Sequence, residues 1–143
     1  MESSNDILVY WDTSAILSVL FADSHSFEAK RWAEMTGYHL LSSFAYTETC
    51  AVVSRLKRER ILGDTLVQAT YERIEEGPWR RLTVHPRWEE MRELSLRWPL
   101  RGADLFHLAT AKSVQEELPG LIFLTFDARL GEAAEGEGLL MTG

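Results

Sequence analysis

The sequence predicts an α/β fold: a parallel sheet covered by helices on both faces. Two observations at the chain ends point there first. Ile7-Leu8-Val9-Tyr10-Trp11 and Leu121-Ile122-Phe123-Leu124-Thr125-Phe126 are near-continuous apolar runs of strand length, as expected for strands buried on both faces. The third observation is alternation, because helix-length segments separate every pair of candidate strands.

Taken in order, residues 7–11 read as the first strand and about 14–22 and 25–36 as helices. A short strand near 40–42 leads into a helix over about 44–60, and Gly63 precedes another that runs to about Glu76. Residues 81–84 read as a strand. Pro86 suits the first turn of a helix that ends before Pro99. Residues 103–118 read as a helix broken by Pro119-Gly120, and 121–126 are the clearest strand. A short helix from about Ala128 and a strand at 139–141 follow.

With 143 residues and no repeat, low-complexity run or Pro/Gly-rich linker, the chain reads as one domain, residues 1–143. No apolar run approaches the ~20 residues of a membrane helix, and residues 1–6 are polar and acidic. Neither a membrane segment nor a secretory signal is expected, and the cytoplasm is the expected location. The one cysteine, Cys50, cannot form an internal disulfide and sits in an apolar stretch, where it reads as a small core residue. A formal charge of −7 argues against a protein that grips nucleic acid with its whole surface. A polyanionic substrate would need a local basic patch.

Four carboxylates stand apart from the solvated acids: Asp12, Glu48, Asp104 and Asp127. Asp12 and Asp127 follow the two apolar strands, while Asp104 and Glu48 lie near the starts of their helices. In a parallel sheet the strand C-termini and the following helix N-termini share one edge, so all four should meet there. Each has an ordinary explanation alone. Asp12 and Asp127 precede helices as N-caps do, and Asp104 would complement a helix dipole. Glu48 resists that treatment, because its helical neighbours Phe44, Ala45, Ala51 and Val52 are apolar. Uncompensated charge is costly to bury, so four acids together imply a cation among them. An all-oxygen set suits Mg²⁺ or Mn²⁺. The histidines lack metal-ligand spacing, and HExxH, CxxC, Walker A and GxGxxG motifs do not occur.

These residues resemble a known family, the PIN-domain ribonucleases, and within it the VapC-type toxins of toxin–antitoxin pairs. The likeness rests on four segments: Asp12-Thr13-Ser14-Ala15 after the first strand; Ser42-Ser43 followed by Glu48; Leu100-Arg101-Gly102-Ala103-Asp104-Leu105-Phe106-His107-Leu108-Ala109-Thr110-Ala111; and Leu124-Thr125-Phe126-Asp127-Ala128-Arg129-Leu130. It implies a three-layer α/β/α sandwich around a central parallel sheet. It also implies that Asp12, Glu48, Asp104 and Asp127 bind Mg²⁺ or Mn²⁺ and hydrolyse RNA with a metal-activated water, leaving a 5′-phosphate and a 3′-hydroxyl. Thr13 or Ser14 would hold that water or a ligand carboxylate. Arg101, His107 and Thr125 are further candidates for contact with substrate or ligands, Arg101 as a phosphate contact and His107 as a packed, hydrogen-bonded neighbour. The basic set Arg55, Lys57, Arg58 and Arg60 reads as a solvated helix end. The implied partners are RNA, a second copy of the chain and a VapB-like antitoxin, whose groove is expected along residues 25–36 and 44–76. Two other readings stay open: a catalytically weak PIN-like module that binds RNA or protein for regulation, and a metal-dependent DNA nuclease or phosphatase.

Overall fold

The computed structural model describes residues 6–141; the acidic N-terminal residues 1–5 and the last two residues lie outside it. Its elements run β1 (Ile7–Trp11), α1 (Thr13–Leu20), α2 (Ser26–Ala33), β2 (Gly37–Ser42), α3 (Ser43–Arg58), α4 (Asp64–Glu76), β3 (Trp79–Leu82), α5 (Trp88–Arg97), α6 (Gly102–Glu117), β4 (Ile122–Leu124), α7 (Ala128–Gly136) and β5 (Leu140–Met141). The five strands form one sheet in the order β3-β2-β1-β4-β5, and every pairing is parallel. No helix among the described residues is long and apolar enough to cross a membrane.

Side chains alternate along β1 and so build two cores, one on each face. Tyr10 points to one face, where it stacks on Phe123 at 5.5 Å between ring centroids and packs with Leu94, Leu108, Val114 and Leu130 of α5, α6 and α7. Val9 and Trp11 point to the other, against Ile16, Ala29, Ala45 and Ile74 of α1, α2, α3 and α4. Trp11 meets Trp79 edge-on at 5.4 Å and donates to His39 Nδ1 at 2.9 Å. Helices cover both faces, so the α/β/α sandwich expected from the sequence is the observed architecture.

The element boundaries depart from expectation at several places; β4 spans Ile122–Leu124 rather than 121–126, and α2 spans Ser26–Ala33 rather than 25–36. β2 begins at Gly37 rather than near Leu40, because Ile7 pairs with Gly37 and draws the polar Tyr38 and His39 into the ladder. β3 spans Trp79–Leu82 rather than 81–84, since Trp79 pairs with His39 and buries its ring on Trp11. Pro86 does not open α5. Arg87 keeps an extended ψ of 141° at the N-cap and the helix starts at Trp88, with Glu89 and Glu90 in its first turn. Cys50 is half-buried rather than a core residue. Trp79 is buried, whereas Trp88 is 75% exposed.

The connection from β1 through β2 to β3 moves outward on one side, and the chain then returns to place β4 on the other side of β1. This reversal between β1 and β4 is the topological switch point at which open α/β sheets build sites.

Candidate functional site

Asp12 leaves the C-terminal end of β1 at that switch point and caps α1. Its Oδ1 accepts from the Ala15 N–H at 2.8 Å, and the Ser14 hydroxyl donates to both oxygens, at 2.8 and 2.9 Å. Across the switch point, Thr125 donates to Asp12 Oδ2 at 2.5 Å. The side chain is 3% exposed. Burial raises its pKa above the ordinary aspartate value, and the hydrogen bonds from Thr125, Ala15 and Ser14 only partly offset that. Thr125 also accepts from the Asp127 N–H at 3.1 Å, so one hydroxyl ties two of the acids together. Asp127 itself caps α7 through the Leu130 N–H at 2.9 Å.

Glu48 sits one turn into α3, which starts directly after β2 because Ser42 caps it by accepting from the Ala45 N–H. A buried chain of side chains holds the carboxylate. The His107 ring lies 2.8 Å from the Tyr10 hydroxyl at Nδ1 and 2.9 Å from Glu48 Oε1 at Nε2, and Thr13 donates to the same oxygen at 2.5 Å. The two ring nitrogens thus serve two partners, Nδ1 facing the Tyr10 hydroxyl and Nε2 the Glu48 carboxylate. Burial pushes the Glu48 pKa up, but the hydrogen bonds from His107 and Thr13 outweigh it and the net direction is down. Burial, above all, keeps the Tyr10 hydroxyl far above its usual range, so it stays protonated as a donor.

Asp104 lies in the first turn of α6, half-buried. Its pKa is raised, first by burial and next by the negative charge of Asp127; His107 and Arg101 pull the other way. The four carboxylates line a single cleft of about 410 Å³, with Thr13, Ser14 and His107 beside them and Leu17, Ala51 and Val52 as apolar walls. The apolar neighbours of Glu48 are thus partly cleft wall rather than core. Thr13 and Ser14 both hold ligand-candidate carboxylates, which settles which of their two expected tasks the geometry favours. His107 is 2% exposed and anchors Glu48 from behind.

The donor set fits a divalent cation. Among the described residues no lysine or arginine lines this cleft to balance its acids, and burial together with the charge of Asp127 raises the Asp104 pKa. Among the described residues no three His, Cys, Asp or Glu side chains form a tight cage. An acid-lined cleft with room for water suits a hard divalent cation that keeps several water ligands and uses few protein carboxylates.

The basic set past Glu48 is a solvated helix end, as expected: Arg55 pairs with Glu59 and Lys57 with Asp64, all well exposed. Two contributions escaped the sequence reading. Tyr10 looked like one more apolar strand residue, although a buried tyrosine hydroxyl needs a partner and that requirement was a usable signal. Arg129 went unremarked, yet it lies two residues past Asp127 and, with Arg101, lines a second cavity that shares Asp104 and Asp127 with the first.

Comparison with known proteins agrees with this arrangement. A family model described as PIN domain matches residues 9–136. The chain is 32% identical over 135 residues to ribonuclease VapC45 and to ribonuclease VapC49 of two Mycobacterium tuberculosis strains, covering 92% of this chain and 92% of each relative. Among solved structures, VapBC2 from Rickettsia felis, bound to a DNA fragment from its promoter, has a TM-score of 0.63 at 13% identity, covering 95% of this chain and 98% of that one. VapC20 of Mycobacterium tuberculosis, a toxin that cleaves the sarcin–ricin loop, has a TM-score of 0.56 at 18% identity, covering 92% and 96%. With a family match across the sheet and the acid-lined edge, and relatives this similar over nearly their whole length, the chain belongs to the PIN-domain family.

Proposed function

We propose that this PIN-domain protein is a metal-dependent endoribonuclease, the toxin of a VapBC-like toxin–antitoxin pair, working as a single unit over residues 1–143. The observation that carries the reading is the convergence of Asp12, Glu48, Asp104 and Asp127 on one cleft that no lysine or arginine among the described residues lines. The ribonuclease names of the 32%-identical relatives support the reaction class. Asp12, Glu48, Asp104 and Asp127 would hold Mg²⁺ or Mn²⁺. Bound there, the ion supplies a Lewis acid that eases deprotonation of a water and neutralises charge on the scissile phosphate.

The protein's own part is orientation. Ser14 and Thr125 fix Asp12, and the Tyr10–His107 pair with Thr13 fixes Glu48, so two of the carboxylates keep their positions before substrate arrives. The proposed partners are an RNA substrate, a second copy of the chain and a VapB-like antitoxin. The fold likeness to VapBC2 and the relatives' VapC names support the last. The proposed place of action is the cytoplasm.

Purified protein incubated with structured RNA and with DNA, with Mn²⁺ or Mg²⁺ and with chelator, tests the reading. RNA cleavage that requires metal and falls at least about 100-fold in Asp104→Asn is the expected result. Absence of cleavage under every metal condition from a folded protein would favour the regulatory-module reading. Preferential cleavage of DNA would favour the DNA nuclease.

A further inference from the structure

We propose that Arg101 and Arg129 form an anion subsite beside the four carboxylates that holds the phosphodiester adjacent to the one being cut. The proposal rests on the ribonuclease reading for its substrate. A cavity of about 360 Å³ lies next to the acid-lined cleft, and the two share Asp104 and Asp127 as a common wall. Its lining also includes Arg101 and Arg129, together with Pro99, Leu100 and Ala128.

Several arginines of this chain have a partner within the fold. Arg81, Arg87 and Arg97 are each held by a glutamate, and Arg73 donates to the Leu20 and Val19 carbonyls at the end of α1. Arg101 lies three residues before Asp104 and Arg129 two after Asp127, yet neither makes an ion pair or side-chain hydrogen bond among the described residues. Arg101 acts on Asp104 through space alone.

Their positions also oppose the local field. Arg101 is the N-cap residue of α6, and Arg129 lies in the first turn of α7. A helix N-terminus carries partial positive charge, so a cation there is disfavoured. Two cations at two helix starts line one cavity with no hydrogen-bonded acid to hold them among the described residues. An anion in the cavity would reverse each of these costs at once. It would meet two forked donors suited to phosphate oxygens.

The arrangement gives the strongly acidic chain a way to hold a polyanion. The scissile phosphate is served at the carboxylates by the cation they bind, and the next phosphate by the arginine pair across the shared wall. An RNA strand laid over Asp104 and Asp127 therefore meets positive charge on both sides of that wall.

The test uses full-length protein and short RNA oligonucleotides carrying the cleavage site, either unmodified or with one neutral methylphosphonate at the phosphate on the 5′ or the 3′ side of the bond cut. Cleavage kinetics with Mn²⁺ and fluorescence anisotropy across a salt series are measured for wild type, Arg101→Ala, Arg129→Ala and Arg129→Lys. Each alanine variant should raise KM about tenfold with kcat nearly unchanged, and should lower the slope of log affinity against log salt by about 0.7, the loss of one single-strand phosphate contact. Arg129→Lys should recover part of the binding. A methylphosphonate on one side should weaken wild type and add little further loss in Arg129→Ala. Unchanged KM and unchanged salt slope, or losses that simply add, overturn the subsite. Should wild type cleave no RNA, the ribonuclease reading fails, while the salt slope still decides whether the arginines hold phosphate.

Discussion

Asp104 shows at the scale of one residue how function and stability oppose each other in this fold. Its carboxylate is half-buried, faces the charge of Asp127 and has a raised pKa for both reasons. Removing the charge should therefore relieve the metal-free protein. In chelator, Asp104→Asn is expected to melt a few degrees above wild type, a gain of about 1 kcal/mol, and calorimetry checks it. A lower melting temperature would mean that the acid cluster is not under repulsion. Asp12 and Asp127 differ, because each also caps a helix. Asparagine keeps an acceptor for those caps, whereas alanine would remove it at a cost of about 1 kcal/mol. The acids themselves were legible in the sequence, since a carboxylate ending an apolar strand is conspicuous. Their supports were less so. Thr13 and Ser14 carried two possible tasks until Glu48 and Asp12 were seen to accept their hydroxyls, and Tyr10 lies 97 positions from the His107 it contacts.

Two elements owe their placement to single residues. β2 enters the sheet at Gly37, whose φ is 149° and where an added Cβ would fall 2.1 Å from the Ile7 carbonyl oxygen. Gly37→Ala should cost about 1–3 kcal/mol from backbone strain alone and push β2 away from β1, measured as a lower denaturation midpoint with metal-site residues unchanged. On the opposite face, Glu137 follows α7 and accepts from Arg97 and the Trp98 indole after α5 and from Lys112 on α6, at 2.7–3.0 Å. Burial would raise its pKa, but these partners bring it down to about 2. A depressed folded-state pKa means stability that is present above the ordinary glutamate range and is lost as pH falls towards about 2. Glu137→Gln should lose about 1–3 kcal/mol near neutral pH and show a flatter acid limb, with the two proteins converging in strong acid. Equal acid limbs would refute the clamp. At this scale the sequence showed which segments are helix and strand but not where each begins. The starts of β2 and β3 are set by pairing with neighbouring strands, and Trp79 finds its burial only against Trp11, a partner far away in the chain.

For the whole molecule, the decisive quantity is charge. A net −7 sets the protein against any RNA, and the acid cleft concentrates that opposition where the substrate must lie. Chelation should weaken RNA binding by about tenfold or more, read by anisotropy with a non-cleavable substrate, and added Mn²⁺ should restore it. Affinity indifferent to metal would show that the cation does not offset the repulsion. The layered fold and the edge of the sheet that bears the site were both readable from strand–helix alternation; the cavity beyond Asp104 and Asp127 was not, because it forms only when the starts of α6 and α7 come together. The switch point adds one more consequence. Asp12 opens the chain's first helix, whereas Thr125 and Asp127 follow a strand that is only later inserted beside β1. A chain still growing on the ribosome can assemble β1, β2 and β3, but its cleft stays unfinished until β4 emerges and docks. A nuclease built this way would gain a complete acid-lined cleft only once β4 has docked beside β1.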